Sequence, residues 1–245
     1  MELPSTPRVV LYALAVAVGL GLVVAASTTG AAFGAYNLEW DGTSDVRELA
    51  DQRTESQVLL DTDPYERSDA NGSIAVVLSP TEPYGPNDTR RVREFVNNGG
   101  TLVVADDFGP HSNALLDDLG ASARFNGTQL RDERHYYRAP SLPVATNVSE
   151  TRYTEEVDQL TINKATAIDA GNATVVATTS PFAYLDRNGT GNLSAGDELG
   201  TYPVVTAGSA GDGRRVAVGD PSLFIHAVLA RPDNAAFATS LFDAH

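Results

Sequence analysis

The chain has 245 residues, a formal net charge of −15 and no cysteine. The missing cysteine excludes disulfides, cysteine nucleophiles and thiolate zinc sites. Nucleic acid requires a concentrated face of Lys and Arg, so the acidic balance predicts no nucleic-acid partner. A hydrophobic fraction of 42% predicts a folded chain. Asp and Glu total 32, and Lys164 is the single lysine among the 17 basic residues. This balance is typical of adaptation to salt.

An uncharged apolar run occupies residues 9–26 (VVLYALAVAVGLGLVVAA). As a helix it would measure about 27 Å, close to the thickness of a hydrocarbon core. Arg8 precedes the run and acidic residues follow it, so the positive-inside rule predicts a cytoplasmic N-terminus over 1–8. We therefore expect a transmembrane helix and its flank at 9–35, in contact with the lipid bilayer. The protein would cross the cell membrane once, and its domain, 37–245, would be extracellular. A cleaved signal peptide is the alternative.

Glycosylation sequons also favour export. Seven of the thirteen asparagines lie in N-x-S/T: Asn71, Asn87, Asn126, Asn147, Asn172, Asn188 and Asn192. Composition alone predicts about two such sites. The excess indicates a glycoprotein surface, although an Asn- and Thr-rich chain also forms sequons by chance.

The hydrophobic periodicity predicts strands and helices in alternation. In chain order they are a helix over 43–51, strands over 58–60 and 73–79, a helix over 87–97, a strand over 101–105, a helix over 112–119, strands over 173–178, 203–206 and 215–218, and helices over 222–229 and 234–242. Apolar strands joined by amphipathic helices are typical of an α/β fold. We expect a parallel-rich sheet covered by helices on both faces.

Five segments form an ordered set: 90–105 (RRVREFVNNGGTLVVA), 106–109 (DDFG), 113–116 (NALL), 219–224 (GDPSLF) and 233–237 (DNAAF). The set resembles the signature of the DUF4350 family, whose activity is not established. The resemblance implies an amidotransferase-like or flavodoxin-like domain, often membrane-anchored, that in haloarchaea is similar to this chain in composition. Working amidotransferases use a cysteine after a strand, so the resemblance implies the fold without that chemistry.

The segment 186–197 (DRNGTGNLSAGD) follows the spacing of a twelve-residue calcium loop. The expected ligands of a structural calcium ion are Asp186, Asn188, Thr190, Asn192, Ser194 and Asp197. Gly191 would allow the sharp turn, and Leu193 is expected to point into the core. The alternative is a polar hairpin without a metal ion.

A second group of candidate residues follows the predicted central strands. Asp106, Asp107 and His111 come after the strand 101–105, and Asp220 comes after the strand 215–218. Open α/β sheets place ligands at such ends, where carboxylates and a histidine bind a cation or act as acid and base. The alternative is that these aspartates only cap helices and hold loops.

These features favour a membrane-anchored, extracytoplasmic, non-catalytic binding or scaffold domain of unknown ligand, with calcium ordering one loop. One alternative is a metal-dependent hydrolase that uses Asp106, Asp107 and His111. Another is an accessory subunit of a membrane transport or envelope-assembly complex, with a membrane-protein partner.

Overall fold

The computed structural model describes residues 30–67 and 69–244. Among these residues no helix combines the length and the apolar composition that crossing a bilayer requires. The apolar run 9–26 lies outside the described residues, as does the predicted cytoplasmic segment 1–8. Residues 30–35, the end of the predicted membrane flank, form turns and not helix.

The described residues contain eleven strands and five α-helices. The strands are β1 (Ile74–Leu78), β2 (Thr101–Ala105), β3 (Arg124–Asp132), β4 (Val144–Ala145), β5 (Asn147–Val148), β6 (Leu160–Thr161), β7 (Thr166–Asp169), β8 (Thr174–Thr178), β9 (Ala183–Leu185), β10 (Pro203–Ala210) and β11 (Gly213–Val218). The α-helices are α1 (Ser44–Asp51), α2 (Pro86–Asn97), α3 (Ser112–Asp118), α4 (His226–Leu229) and α5 (Asn234–Asp243), and 3₁₀ turns occupy Asp63–Glu66 and Pro221–Phe224.

The main sheet has six strands in the order β1-β2-β11-β10-β8-β5. β2 pairs in parallel with β1 and with β11. The remaining neighbours, β11–β10, β10–β8 and β8–β5, are antiparallel. Two smaller antiparallel sheets, β7-β3-β9 and β4-β6, complete the strand pairing.

The expected fold class, a parallel-rich sheet of the amidotransferase-like or flavodoxin-like kind covered by helices, is therefore wrong. The fold is a mixed, sheet-rich one with few and short helices. β10 and β11 are joined by the two residues 211–212, a connection too short to be a crossover, so this pair is necessarily antiparallel.

Alternate residues of β2 point to two hydrophobic clusters, as the period of a strand requires. Leu102 and Val104 pack with the apolar stripe of α2 and with α3. On the opposite face, Val103 and Ala105 pack with the 3₁₀ turn Pro221–Phe224 and with α5. Because the sheet is covered on both faces here, these four residues are buried, and Thr101 at the start of β2 is buried as well.

Most of the predicted strands and helices are present near their predicted positions, but three differences matter. The predicted strand 58–60 is not a strand. The predicted helix 222–229 is broken at Ile225, whose extended backbone (φ −84°, ψ 155°) separates the 3₁₀ turn from α4. β3, β7 and β9 were not predicted, because a strand such as β3, with Gly127 at φ 75°, carries a weak apolar pattern.

Candidate functional site

The ends of the three parallel strands bring together two of the predicted site residues. Ser79 follows β1, Asp106 follows β2, and Asp220 lies two residues beyond β11. The pairing continues past the strands, since Ser79 N–H donates to the carbonyl of Ala105 and Asp106 N–H to that of Val218. We call this region, with residues 106–109 and 220, the strand-end rim.

Asp106 is buried and organises its own loop. Its Oδ1 accepts hydrogen bonds from the hydroxyl of Ser79 at 3.1 Å and from the N–H groups of Asp107 and Gly109 at 2.9 and 3.1 Å. Its Oδ2 is buried without a hydrogen-bond partner. A Cβ on Gly109 would lie 2.5 Å from that oxygen, so the loop closes over the carboxylate and leaves no space for a ligand.

Asp220 is also committed to the backbone. Oδ1 accepts the N–H of Ser222 and Oδ2 the N–H of Asn163, each at 2.7 Å. The first bond caps the 3₁₀ turn, and the second ties it to the chain before β7. Burial raises the pKa of Asp220 to about 7, and the nearby charge of Asp107 contributes to the rise.

Asp107 and His111 complete the predicted group. Burial, and secondarily the charge of Asp106, raises the pKa of Asp107 above its usual range. His111 precedes α3, and its carbonyl accepts the N–H of Leu115 at 3.1 Å. In the described part of the chain, no three acidic or histidine side chains converge as metal ligands do.

The loop 186–197 is closed by its own hydrogen bonds. Asp186 accepts the N–H of Thr190 at Oδ1 (3.0 Å) and that of Gly191 at Oδ2 (2.8 Å). The hydroxyl and N–H of Ser194 both donate to Asp197, and the hydroxyl bond is the main cause of its lowered pKa. Calcium binding by these residues stays a prediction.

Other contacts of this loop differ from the expected ligand roles. The Asn188 amide donates to the hydroxyl of Ser194 at 2.6 Å, and the Thr190 hydroxyl donates to the carbonyl of Asn192 at 2.9 Å. Leu193 is exposed, so the expectation that it points into the core is wrong. The sharp turn at Gly191 is confirmed by its φ of 75°.

A cavity of about 190 Å³ lies on the face of the sheet that carries α2 and α3, beyond the end of α3. Its floor is formed by β10 and β11, and one wall by residues 121–123. The lining residues are Leu116, Ala121, Ser122, Ala123, Asn172, Ala173, Thr206, Gly208, Ser209, Arg215 and Ala217. The volume is below the roughly 300 Å³ at which ligand pockets usually begin, so the cavity fits only a small molecule.

Two side chains of this cavity have unused hydrogen-bonding capacity. Thr206 is 1% exposed, and its hydroxyl has no hydrogen-bond partner. Arg215 donates to the carbonyls of Leu119 and Ser209 at 2.6 and 3.0 Å, but its Nε has no partner. Burial lowers the pKa of Arg215, and among the described residues no carboxylate forms an ion pair with it.

Sequence reasoning missed this cavity. Thr206, Gly208 and Arg215 face it because Thr206 pairs with Ala217 and Gly208 pairs with Arg215 across the β10–β11 hairpin. The turn sequence Gly211-Asp212-Gly213 is a hairpin signal that would have paired the two strands. It would not have shown that the end of α3 leaves this part of the face uncovered.

Solved structures share the fold at low sequence identity. The mmIFT52 N-terminal domain has a TM-score of 0.61 and 12% identity over 80% of this chain and 86% of that one. The cytoplasmic protein STM1381 from Salmonella typhimurium LT2 has a TM-score of 0.53 and 11% identity over 82% and 86%. A β-galactosidase from Rahnella sp. R3 is matched over only 26% of its length, with a TM-score of 0.49 and 14% identity over 82% of this chain, and that likeness carries no argument.

These identities are low enough that the likeness shows the fold alone. No curated protein sequence matches the chain. The family comparison is more direct, since the model of a domain of unknown function, DUF4350, matches residues 35–242. This match includes every segment on which the sequence resemblance rests, and the chain belongs to the DUF4350 family.

Proposed function

We propose that the chain is a non-catalytic binding domain that takes a small anionic ligand in the cavity between β10, β11 and the end of α3. The observation that carries the proposal is a concave site lined by two buried donor atoms that have no acceptor: the hydroxyl of Thr206 and the Nε of Arg215. Buried polar groups are normally hydrogen-bonded, and an exception is a reason to look for a ligand.

The donors determine the class of ligand. A guanidinium is planar, always charged and suited to carboxylate recognition. Arg215 donates two hydrogen bonds to backbone carbonyls, which position the guanidinium without neutralising its charge. A small carboxylate fits both this charge and the volume of about 190 Å³.

Catalysis at the strand-end rim fits the geometry less well. A general base or a metal ligand needs lone pairs that are free to face a substrate. Asp106 Oδ1 accepts three hydrogen bonds, its unpartnered Oδ2 is enclosed by Gly109, and both oxygens of Asp220 accept backbone N–H groups. These bonds support a structural role for the rim and favour binding over the metal-dependent hydrolase.

The proposal places the domain outside the cytoplasm and attached to the membrane through residues 9–35. All seven sequon asparagines are exposed. Exposure is what glycosylation of the folded surface requires. A glycosylated domain that is attached to the membrane by its N-terminal segment and carries a net charge of −15 is suited to display on a cell surface in salt.

The test is calorimetric titration of the full chain with acetate and lactate in chloride buffer. We expect saturable binding to the wild type. Arg215→Gln removes the charge and Gly208→Val places methyl groups in the cavity, so each should weaken binding at least about tenfold, the equivalent of 1.4 kcal/mol. The Cβ of residue 208 meets only the Cβ of Ala173, at 3.8 Å, so the second variant should fold.

The matched control is Arg214→Gln, which alters the neighbouring arginine of the same strand on the opposite face of the sheet. It should bind carboxylates like the wild type. Equal binding by the wild type and Arg215→Gln, or no binding of either anion, would refute the proposed function.

A further inference from the structure

Three large apolar side chains are exposed within five residues of the chain. Leu38 is 76% exposed, Trp40 67% and Tyr36 42%. Single exposed apolar residues are ordinary, but a group of large ones marks an interaction surface. Trp40 is the single tryptophan of the sequence.

The backbone that carries these side chains is held by hydrogen bonds of Asn37. The Asn37 side chain, 2% exposed, donates to the Ala31 carbonyl at 3.0 Å and to Asp41 at 2.9 Å, and accepts the N–H of Glu39 at 2.8 Å. A Cβ on Gly42 would lie 1.9 Å from the Asn37 carbonyl oxygen, so the loop is closely packed on itself.

This loop is also attached to the rest of the domain. The carbonyls of Trp40 and Gly42 accept the N–H groups of Ala227 and His226, in α4, at 3.1 and 3.0 Å. The exposed side chains are therefore held outward by a fixed backbone, since folding the loop back would break these bonds. We call residues 36–40 the aromatic loop.

The chain before the loop indicates what covers it. The apolar run ends at Ala26, four residues before Gly30. Four residues span at most about 14 Å. If residues 9–26 are held in a bilayer, the domain begins at its surface, and the aromatic loop lies in or beside the headgroup region.

We infer that the aromatic loop docks on the bilayer, with Leu38 and Trp40 among the lipid headgroups and upper acyl chains. The inference rests on the membrane attachment that the proposed function includes. Trp and Tyr are enriched at this depth because each has an apolar body and a polar group that reaches water. The docking would fix the orientation of the domain, whereas a flexible linker alone would let it rotate.

The charges beside the loop determine which lipid suits it. Glu39 and Asp41 flank Trp40, and Glu39 is exposed. These carboxylates would be repelled by an anionic membrane at low ionic strength, and salt would screen the repulsion. Zwitterionic lipid, or anionic lipid in high salt, is therefore the matching surface.

The experiment uses the fluorescence of Trp40 in the full chain, reconstituted in phosphatidylcholine vesicles with and without brominated acyl chains. Brominated chains quench only a tryptophan that reaches them. We expect Trp40 to lose most of its emission and to show a blue-shifted maximum. Leu38→Gln, at a position 76% exposed and therefore tolerant, should reduce the quenching.

The control moves the single tryptophan to the opposite end of the sheet, in the variant Trp40→Phe with Asp212→Trp. Residue 212 lies in the turn before β11, at the edge where the parallel strands begin, whereas α4 follows the other end of β11. Its emission should be the same with and without bromine.

Co-sedimentation with the vesicles is measured on the same samples. Attached chain with quenched Trp40 and unquenched residue 212 supports the inference. Attached chain with unquenched Trp40 overturns the docking while leaving attachment intact, and would make a protein partner the occupant of the loop. Chain that stays in the supernatant overturns the membrane attachment itself. None of these three results bears on carboxylate binding by the cavity.

Discussion

The two halves of the main sheet use polar residues in opposite ways. In the parallel half, β1, β2 and β11, Asp106 and Asp220 accept backbone hydrogen bonds beneath closed loops. Where β11 meets the antiparallel half, β10, β8 and β5, a cavity lies beside Thr206 of β10 and Arg215 of β11, whose donors are only partly used. Acidic residues at strand ends are thus not by themselves a site, and the unsatisfied donors are the better guide to binding.

The largest expected effect contrasts the packing of two glycines, Gly213 at the start of β11 and Gly208 at the cavity. A Cβ at position 213 would lie 2.1 Å from the Val96 carbonyl oxygen and 2.2 Å from that of Gly100. Both are backbone atoms that cannot move aside. Gly213→Ala should lower the free energy of unfolding by about 3 kcal/mol or more.

Gly208→Ala is the matched change on the neighbouring strand. Its new methyl group would meet the Cβ of Ala173 at 3.8 Å, an ordinary contact. The free energy of unfolding, from denaturant titration, should stay within about 0.5 kcal/mol of the wild type. Similar losses in the two variants would show that the antiparallel half is as tightly packed as the parallel half.

The next effect tests the buried acid of the parallel half. Burial raises the folded-state pKa of Asp220 to about 7, well above the value of about 3.9 in an unfolded chain. The folded state therefore holds a proton that the unfolded state releases, and this contribution to stability is lost as the pH rises from about 4 to 7.

Asp220→Asn removes this titration. Groups with lowered pKa values, such as Glu66 and Asp197, change stability in the opposite direction, but they are common to both proteins. The wild type minus Asp220→Asn difference in unfolding free energy should therefore fall steadily between pH 4 and pH 8. A difference that does not change with pH would contradict the raised pKa.

The smallest effect concerns the unpartnered hydroxyl of the antiparallel half. Thr206→Val replaces a buried hydroxyl without a partner by a methyl group of similar shape. The unfolding free energy should rise by about 1 kcal/mol, because an unsatisfied buried donor is costly. Thr166→Val, at a buried threonine whose hydroxyl donates to the Thr128 carbonyl at 2.9 Å, should lower it by a similar amount. Thermal melts of the two variants at one pH measure both signs.

Much of the central fold could be predicted from the sequence. The strands β1 and β2 and the helices α2 and α3 lie where the apolar runs, the helix stripe and the Gly99-Gly100 stop predict them. Each of these signals is local, since it depends on residues within one element. The resemblance to the DUF4350 family is confirmed by the family model, which matches residues 35–242.

The candidate site was predicted only in part. The sequence placed Asp106 and Asp220 at neighbouring strand ends, and the structure confirms that placement. It could not show that Asn163 binds the carboxylate of Asp220, because that contact joins residues 57 positions apart. Thr206 and Arg215 gave no signal, since a buried threonine and an arginine in a strand are ordinary residues.

The sequence by itself determined which segments are apolar, where the central strands and helices begin and end, the acidic surface, and the absence of cysteine chemistry. The tertiary structure alone decided the direction of β8 and β5, the closing of the strand-end rim and the opening of the cavity. The physical reason is that buried parallel and buried antiparallel strands share one apolar pattern, so their direction depends on the connections and on packing between distant segments.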